Sequence, residues 1–191
     1  FGSGRQAYAH ALAFARQFDL AEIRLINRRP ADEFERRIGE ATGVSTVRVS
    51  DQNDGVENVD LIITATRSTE ALFDGHRLPR RCHVTAVGAT TPESRELDTE
   101  TITRAETIVV ESIKQARIEA GDLLLAEREA SPVWGKVVEL ADLVSSPNVG
   151  PDRSEQITLY KSLGIGLEDV AVADAVYQEA VARSVGTFLE D

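Results

Sequence analysis

A glycine turn near residue 1 constrains this chain more than any other feature. Residues 2–7 read GSGRQA, so Gly2, Gly4 and Ala7 form the spacing G-x-G-x-x-A. From Ala7 onward, Ala7, Ala11, Leu12, Ala15 and Phe18 recur at spacings of three and four, which predicts an amphipathic helix over Tyr8–Phe18. Gly2 permits a tight turn off a strand, and Gly4 leaves the backbone open to close approach. Ala7 lets the helix lie against a sheet. Such a turn belongs at the start of a βαβ unit.

The rest of the chain continues that alternation. Residues 22–26 (EIRLI) alternate as a strand, and Pro30 opens a helix through Phe34, Ile38 and Ala41 that Gly43 ends. Residues 46–49 are a short strand, and 51–58 a polar connection with at most one helical turn. Val59–Thr66 is a nearly unbroken apolar run, as a parallel strand covered on both faces requires. His83–Val87, Thr107–Val110 and Ile157–Tyr160 read as further strands, with short helices or loops between. Residues 145–151 are turn-rich, and 167–189 form a long helix rich in Ala and Val. The pattern specifies α/β architecture with a doubly wound parallel sheet.

In that context the glycine turn reads as a dinucleotide site, with the pyrophosphate on the free N–H groups of the helix N-terminus. The end of the next strand selects the cofactor. Asp or Glu there would hold a ribose 2′-hydroxyl, but this chain has Asn27, Arg28 and Arg29. Asparagine tolerates a 2′-phosphate and a guanidinium can grip it, so NADP(H) is preferred, with NAD(H) as the alternative. Both arginines also read as solvated surface residues near a helix start.

A net charge of -11 argues against nucleic-acid or anionic-membrane binding. The single cysteine, Cys82, forms no disulfide within the chain and reads as a small buried residue rather than a nucleophile. His10, His76 and His83 fall in no metal-ligand spacing, so no metal is expected. No apolar run is long enough to span a bilayer and no signal peptide is visible, which makes the cytoplasm the default location. The chain contains no methionine, and Phe1 directly precedes the turn. The expectation is a piece of a longer polypeptide, entered at the end of a β-strand.

Three further stretches resemble one family. These are HVTAVGATTPESRELD over residues 83–98, the segment from Glu111–Ser112 to Gly121–Asp122, and KSLGIGLED over 161–169. In this order, and with the glycine turn, they resemble the ornithine cyclodeaminase/mu-crystallin family. That resemblance implies a homodimer with a Rossmann domain for the cofactor. It also implies an N-terminal domain for dimerisation and substrate, to which the last helix returns. Residues 1–166 would then be the NAD(P)-binding domain, its first strand truncated, and 167–191 the returning helix. The N-terminal domain, with its substrate-contacting lysine and arginines, would be missing from this chain.

Carried over by motif, Gly2, Ser3, Gly4, Arg5 and Gln6 would line the pyrophosphate. Asn27, Arg28 and Arg29 would surround the adenosine ribose. Thr64, Ala65 and Thr66 would lie along the cofactor, and Val87, Gly88 and Ser162 would approach the nicotinamide. Each has a plainer alternative: strand propensity for Thr64 and Thr66, core packing for Val87, a turn-capping hydroxyl for Ser162. Glu168 and Asp169 read as the acidic first turn of a helix rather than as catalytic groups.

One departure narrows the chemistry. The cyclodeaminases of this family place an aspartate shortly after the Val-Gly pair, where this chain has Thr90. A threonine hydroxyl exchanges hydrogen bonds but is no base near neutral pH. The expected activity is therefore NADP(H)-dependent oxidoreduction of a C–N bond in an amino acid or cyclic imine, with Thr90 as substrate-side candidate. The alternatives are a lyase that recycles bound NAD and a non-catalytic binding protein of the mu-crystallin kind.

Overall fold

The computed structural model describes residues 1–129, 132–145 and 156–187. Helix α1 (Arg5–Gln17) follows the glycine turn, then come β1 (Glu22–Leu25), α2 (Asp32–Thr42), β2 (Ser45–Arg48) and β3 (Leu61–Thr64). Next are β4 (Cys82–Ala86), α3 (Thr99–Arg104), β5 (Ala105–Val110), α4 (Ile113–Glu119) and α5 (Gly121–Glu129). The chain continues through β6 (Val137–Glu139), α6 (Leu140–Ser145), β7 (Ile157–Lys161) and α7 (Gly166–Ala182).

Every strand pairing is parallel, in the orders β2-β1 and β3-β4-β7-β5-β6. Phe1 and Gly2 join the two groups. Phe1 bonds Ile63 O (2.7 Å) and accepts from Ala65 N–H (3.0 Å), while Gly2 N–H donates to Ile26 O (3.2 Å). The glycine turn thus leaves the strand position between β1 and β3, at the carboxyl end of the sheet. Behind Phe1 the two strand edges bound a slot of about 430 Å³, lined by Ile23, Leu25, Leu61 and Ile63.

The buried residues form two clusters. Ala7 and Ala11 of α1 pack with Leu25, Phe34 and Ile38. A larger cluster joins β3, β4, β5 and β7 to α3, α4 and α5 through Val84, Ile102, Ile108, Leu123 and Leu159 among others. Flanking helices on a parallel sheet make this a Rossmann-like α/β fold.

Several elements differ from the sequence expectation. Phe18 lies beyond the end of α1, in extended backbone, and is 48% exposed, its ring stacked on Phe14 rather than buried against the sheet. The apolar run of residues 59–66 yields only Leu61–Thr64 as strand. Between β3 and β4 the chain is a loop with a 3₁₀ turn at Gly75–Arg77, within the expectation of short helices or loops there. Strand β6 went unread because three residues carry no visible period.

Helix α7 stops well before Leu189. Ser184 adopts φ 54, its N–H donates to Val181 O (3.1 Å), and Val185 N–H donates to Ala180 O (3.0 Å). This crossed pair closes a helix in the left-handed manner. Residues 188–189 lie outside the described residues, as does most of the turn-rich stretch 145–151. Helix α7 buries no residue at all, and Leu167, Val170, Val172, Val176 and Val181 are all exposed. No described helix is long and apolar enough to cross a membrane.

Candidate functional site

The glycine turn opens onto a cleft of about 400 Å³ lined by Gly2, Ser3, Asn27, Arg28, Arg29, Gln52, Thr66, Arg67 and Ser68. Three sequence-distant segments meet there because all three leave carboxyl ends of adjacent parallel strand positions. That is where ligands of open α/β sheets bind.

The turn itself is shaped by its glycines. Gly2 has φ +100, and a Cβ there would lie 2.5 Å from Ala65 O. Only glycine meets both conditions. A Cβ at Gly4 would meet nothing within 4 Å, so the space over that backbone is open. Gly4 caps α1 without any side-chain bond, and the first turn carries no acidic residue. The N–H groups of Arg5 and Gln6 sit at this uncapped, positive end of a 13-residue helix.

Asn27 has a structural task. With its amide nitrogen turned to the main chain it donates to Gly2 O (3.0 Å) and Ile26 O (3.1 Å), which ties the turn to the end of β1. Arg28, Arg29 and Arg67 are exposed and make no hydrogen bond or ion pair among the described residues. In a chain of net charge -11, three unpaired guanidiniums on one cleft favour an anionic ligand. Arg67 escaped the sequence reading; its position directly after the Thr64–Thr66 strand end was the available signal.

Deeper in, two carboxylates organise the strand ends. Glu96 is fully buried. Its Oε1 accepts from Thr66 N–H (2.6 Å) and Thr66 Oγ1 (2.7 Å), and its Oε2 from Thr64 Oγ1 (2.8 Å) and Gly88 N–H (2.8 Å). The Thr64 hydroxyl is therefore buried and committed to Glu96, while Thr66 also lines the cleft. Val87 N–H bonds Thr64 O (2.9 Å) and Ser162 N–H bonds Ala86 O (2.9 Å), so β3, β4 and β7 end side by side.

Glu111 does the same for the Ser162–Gly164 turn. It accepts from Ser162 Oγ (2.6 Å), Tyr160 OH (3.0 Å), Leu163 N–H (3.1 Å) and Gly164 N–H (3.1 Å). Burial opposes its ionisation, but the Ser162 hydroxyl and the backbone donors outweigh that and hold the carboxyl below its ordinary range. Burial first, and the Glu111 charge second, push the Tyr160 phenol up. The Ser162 hydroxyl is thus engaged by a local carboxylate. Burial likewise pushes the Cys82 thiol up to about 11, which leaves it unreactive.

Thr90 is exposed, and its hydroxyl has no hydrogen-bond partner among the described residues. The neighbouring Thr91 and Ser94 take the local capping instead (3.0 Å between hydroxyls). Gly4, Arg5, Gln6, Thr64, Ala65, Val87, Gly88 and Ser162 do not form the cleft wall itself.

Comparison with known proteins fits this geometry. Residues 1–184 match the ornithine cyclodeaminase/mu-crystallin family. The chain is 33% identical over 195 residues to a Δ1-pyrroline-2-carboxylate reductase of Bacillus cereus, covering 99% of this chain and 59% of that protein. It is 36% identical over 179 residues to the ketimine reductase mu-crystallin of Mus musculus, covering 92% of this chain and 53% of that protein. Among solved structures, the Δ1-pyrroline-2-carboxylate reductase of Thermococcus litoralis, in complex with NADH and L-proline, superposes with a TM-score of 0.92 at 28% identity. The match covers 98% of this chain and 59% of that one. The chain therefore spans little more than half the length of these relatives. Its glycine turn, its strand-end cleft and this whole-length similarity agree: the chain belongs to the ornithine cyclodeaminase/mu-crystallin family.

Proposed function

We propose that the intact protein is an NADP(H)-dependent reductase of a cyclic imino acid. The observation that carries this reading is Thr90, a free, exposed hydroxyl where a cyclodeaminase would need a carboxylate. Support comes from the relatives, which are named as Δ1-pyrroline-2-carboxylate and ketimine reductases. When bound, the reduced dinucleotide supplies a hydride to the imine carbon, and water supplies the proton that the nitrogen gains. This chain's share is binding and orientation. The glycine turn and the N-terminus of α1 hold the pyrophosphate. Arg28 and Arg29, with Arg67 beside them, grip the 2′-phosphate end, which is the ground for preferring NADPH over NADH. Thr90 offers its hydroxyl to the substrate carboxylate or imine nitrogen.

Residues 1–166 serve as the cofactor domain. Helix α7, which buries nothing on this chain, belongs to a second domain that completes the substrate site and a homodimer in the cytoplasm.

The test is turnover of Δ1-pyrroline-2-carboxylate by the intact protein, followed as loss of reduced-nicotinamide absorbance with NADPH and with NADH. Stoichiometric consumption of NADPH supports the reductase. Ammonia release from ornithine without net cofactor change would make it a lyase, and tight binding without either would make it a binding protein. Thr90→Val should lower turnover while leaving NADPH affinity in place.

A further inference from the structure

We infer that Glu96 is a positioning residue for the reaction: its carboxylate sets the strand ends against which the nicotinamide half of the cofactor must lie. The role rests on the cofactor assignment made above. Glu96 lies in the loop after β4 and has 0% exposure. A carboxylate so buried is costly unless its acceptor capacity is filled. Here four donors fill it, all from residues at the carboxyl ends of β3 and β4. Those ends form the ligand edge of the sheet.

Gly88 is shaped by the same carboxylate. A Cβ at Gly88 would lie 2.4 Å from Glu96 Oε1 and 2.3 Å from Thr66 O. Glycine is needed there so that Glu96 can tuck between the two strand ends. On the far side, the buried ammonium of Lys161 donates to Ala89 O. Consecutive residues are therefore held by opposite charges, Gly88 by the Glu96 carboxylate at its N–H and Ala89 by the Lys161 ammonium at its carbonyl. This grip aims the turn that carries Thr90. Glu96 is anchored in turn, because Asp122 Oδ1 accepts the N–H groups of Glu96 (2.7 Å) and Leu97 (2.9 Å).

The isosteric change Glu96→Gln isolates the role. Each oxygen of Glu96 takes one backbone N–H, from Thr66 on one side and Gly88 on the other. A glutamine must turn its NH₂ toward one of them, whichever way it is set. In the intact protein, kcat should fall roughly ten- to hundredfold through misplacement of the reacting groups, while the dissociation constant for NADPH changes much less. The fluorescence emission of bound NADPH should shift, because the nicotinamide loses its fixed surroundings.

Thr64→Val removes one donor only and should move kcat and emission in the same direction by less, with Thr64→Ser restoring both. This pair decides the matter if Glu96→Gln fails to fold. Unchanged kcat and emission in Glu96→Gln, in a wild type that binds NADPH, overturn the positioning role alone. So does a lowered melting temperature with kcat and emission intact, which would make Glu96 a fold staple. In the fallback pair, Thr64→Val with wild-type kcat and emission has the same force. A wild type that binds no NADPH overturns the cofactor assignment as well.

Discussion

The Lys161 ammonium and the Asp122 carboxylate face each other at 3.1 Å with both side chains at 0% exposure. Lys161 closes β7 and Asp122 lies in the first turn of α5, so one ion pair joins the sheet to that helix. At Oδ2 the charge attraction stands without a hydrogen bond, while Oδ1 is filled by the Glu96 and Leu97 N–H groups.

Removing one partner of a buried pair strands the other charge. Lys161→Met should destabilise the protein by about 3–5 kcal/mol. Adding Asp122→Asn should recover part of that, since the amide oxygen still accepts from the two backbone donors. Urea melts of the two variants check this, and equal losses in both would disprove coupling between the residues.

Gly2→Ala meets two obstacles at once, a positive φ and the Ala65 carbonyl. The strain should cost on the order of 1–3 kcal/mol and displace the turn from its ligand. Gly4→Ala meets no protein atom, so it should leave the melting temperature nearly unchanged while weakening dinucleotide binding. Calorimetry for stability and titration with NADPH for affinity separate the two glycines.

Arg28→Ala should reduce the preference for NADPH over NADH by about tenfold, as loss of one charge-assisted hydrogen bond of about 1.5 kcal/mol implies. NADH affinity should barely move. If Arg28→Ala leaves the ratio as it was, Arg29→Ala or Arg67→Ala should show the effect instead, as the other guanidiniums on that wall.

Glu111 supplies a pH dependence with a definite sign. Its carboxyl is held below the ordinary range in the folded protein, so the charged form is the stabilising one. That stability is complete above about pH 4.3, the usual value for an unfolded glutamate, and is lost as pH falls through the lowered folded value. Glu111→Gln should be less stable at neutral pH and should lose less on acidification. Melting temperatures across the acid range, wild type against variant, measure the slope directly.

Local patterns sufficed for most strands, for the first two helices and for a nicotinamide dinucleotide as the class of cofactor, but not for the three-residue strand β6. The spacing of Gly2, Gly4 and Ala7 carries its own backbone logic, and buried parallel strands announce themselves as the apolar runs 59–66 and 83–87, which the strands Leu61–Thr64 and Cys82–Ala86 largely match. The end of α2 was equally legible, because Gly43 adopts φ 70 where the helix must stop. Tertiary structure alone decided which groups support the site. Glu96 meets Thr64 across 32 residues, and Glu111 meets Gly164 across 53. Nothing near either glutamate in the chain distinguishes a buried acceptor from a solvated surface charge. For the same reason the sequence named neither glutamate as the partner of the Thr64 and Ser162 hydroxyls. A hydrogen bond is local in space, and only the folded sheet brings its two partners together.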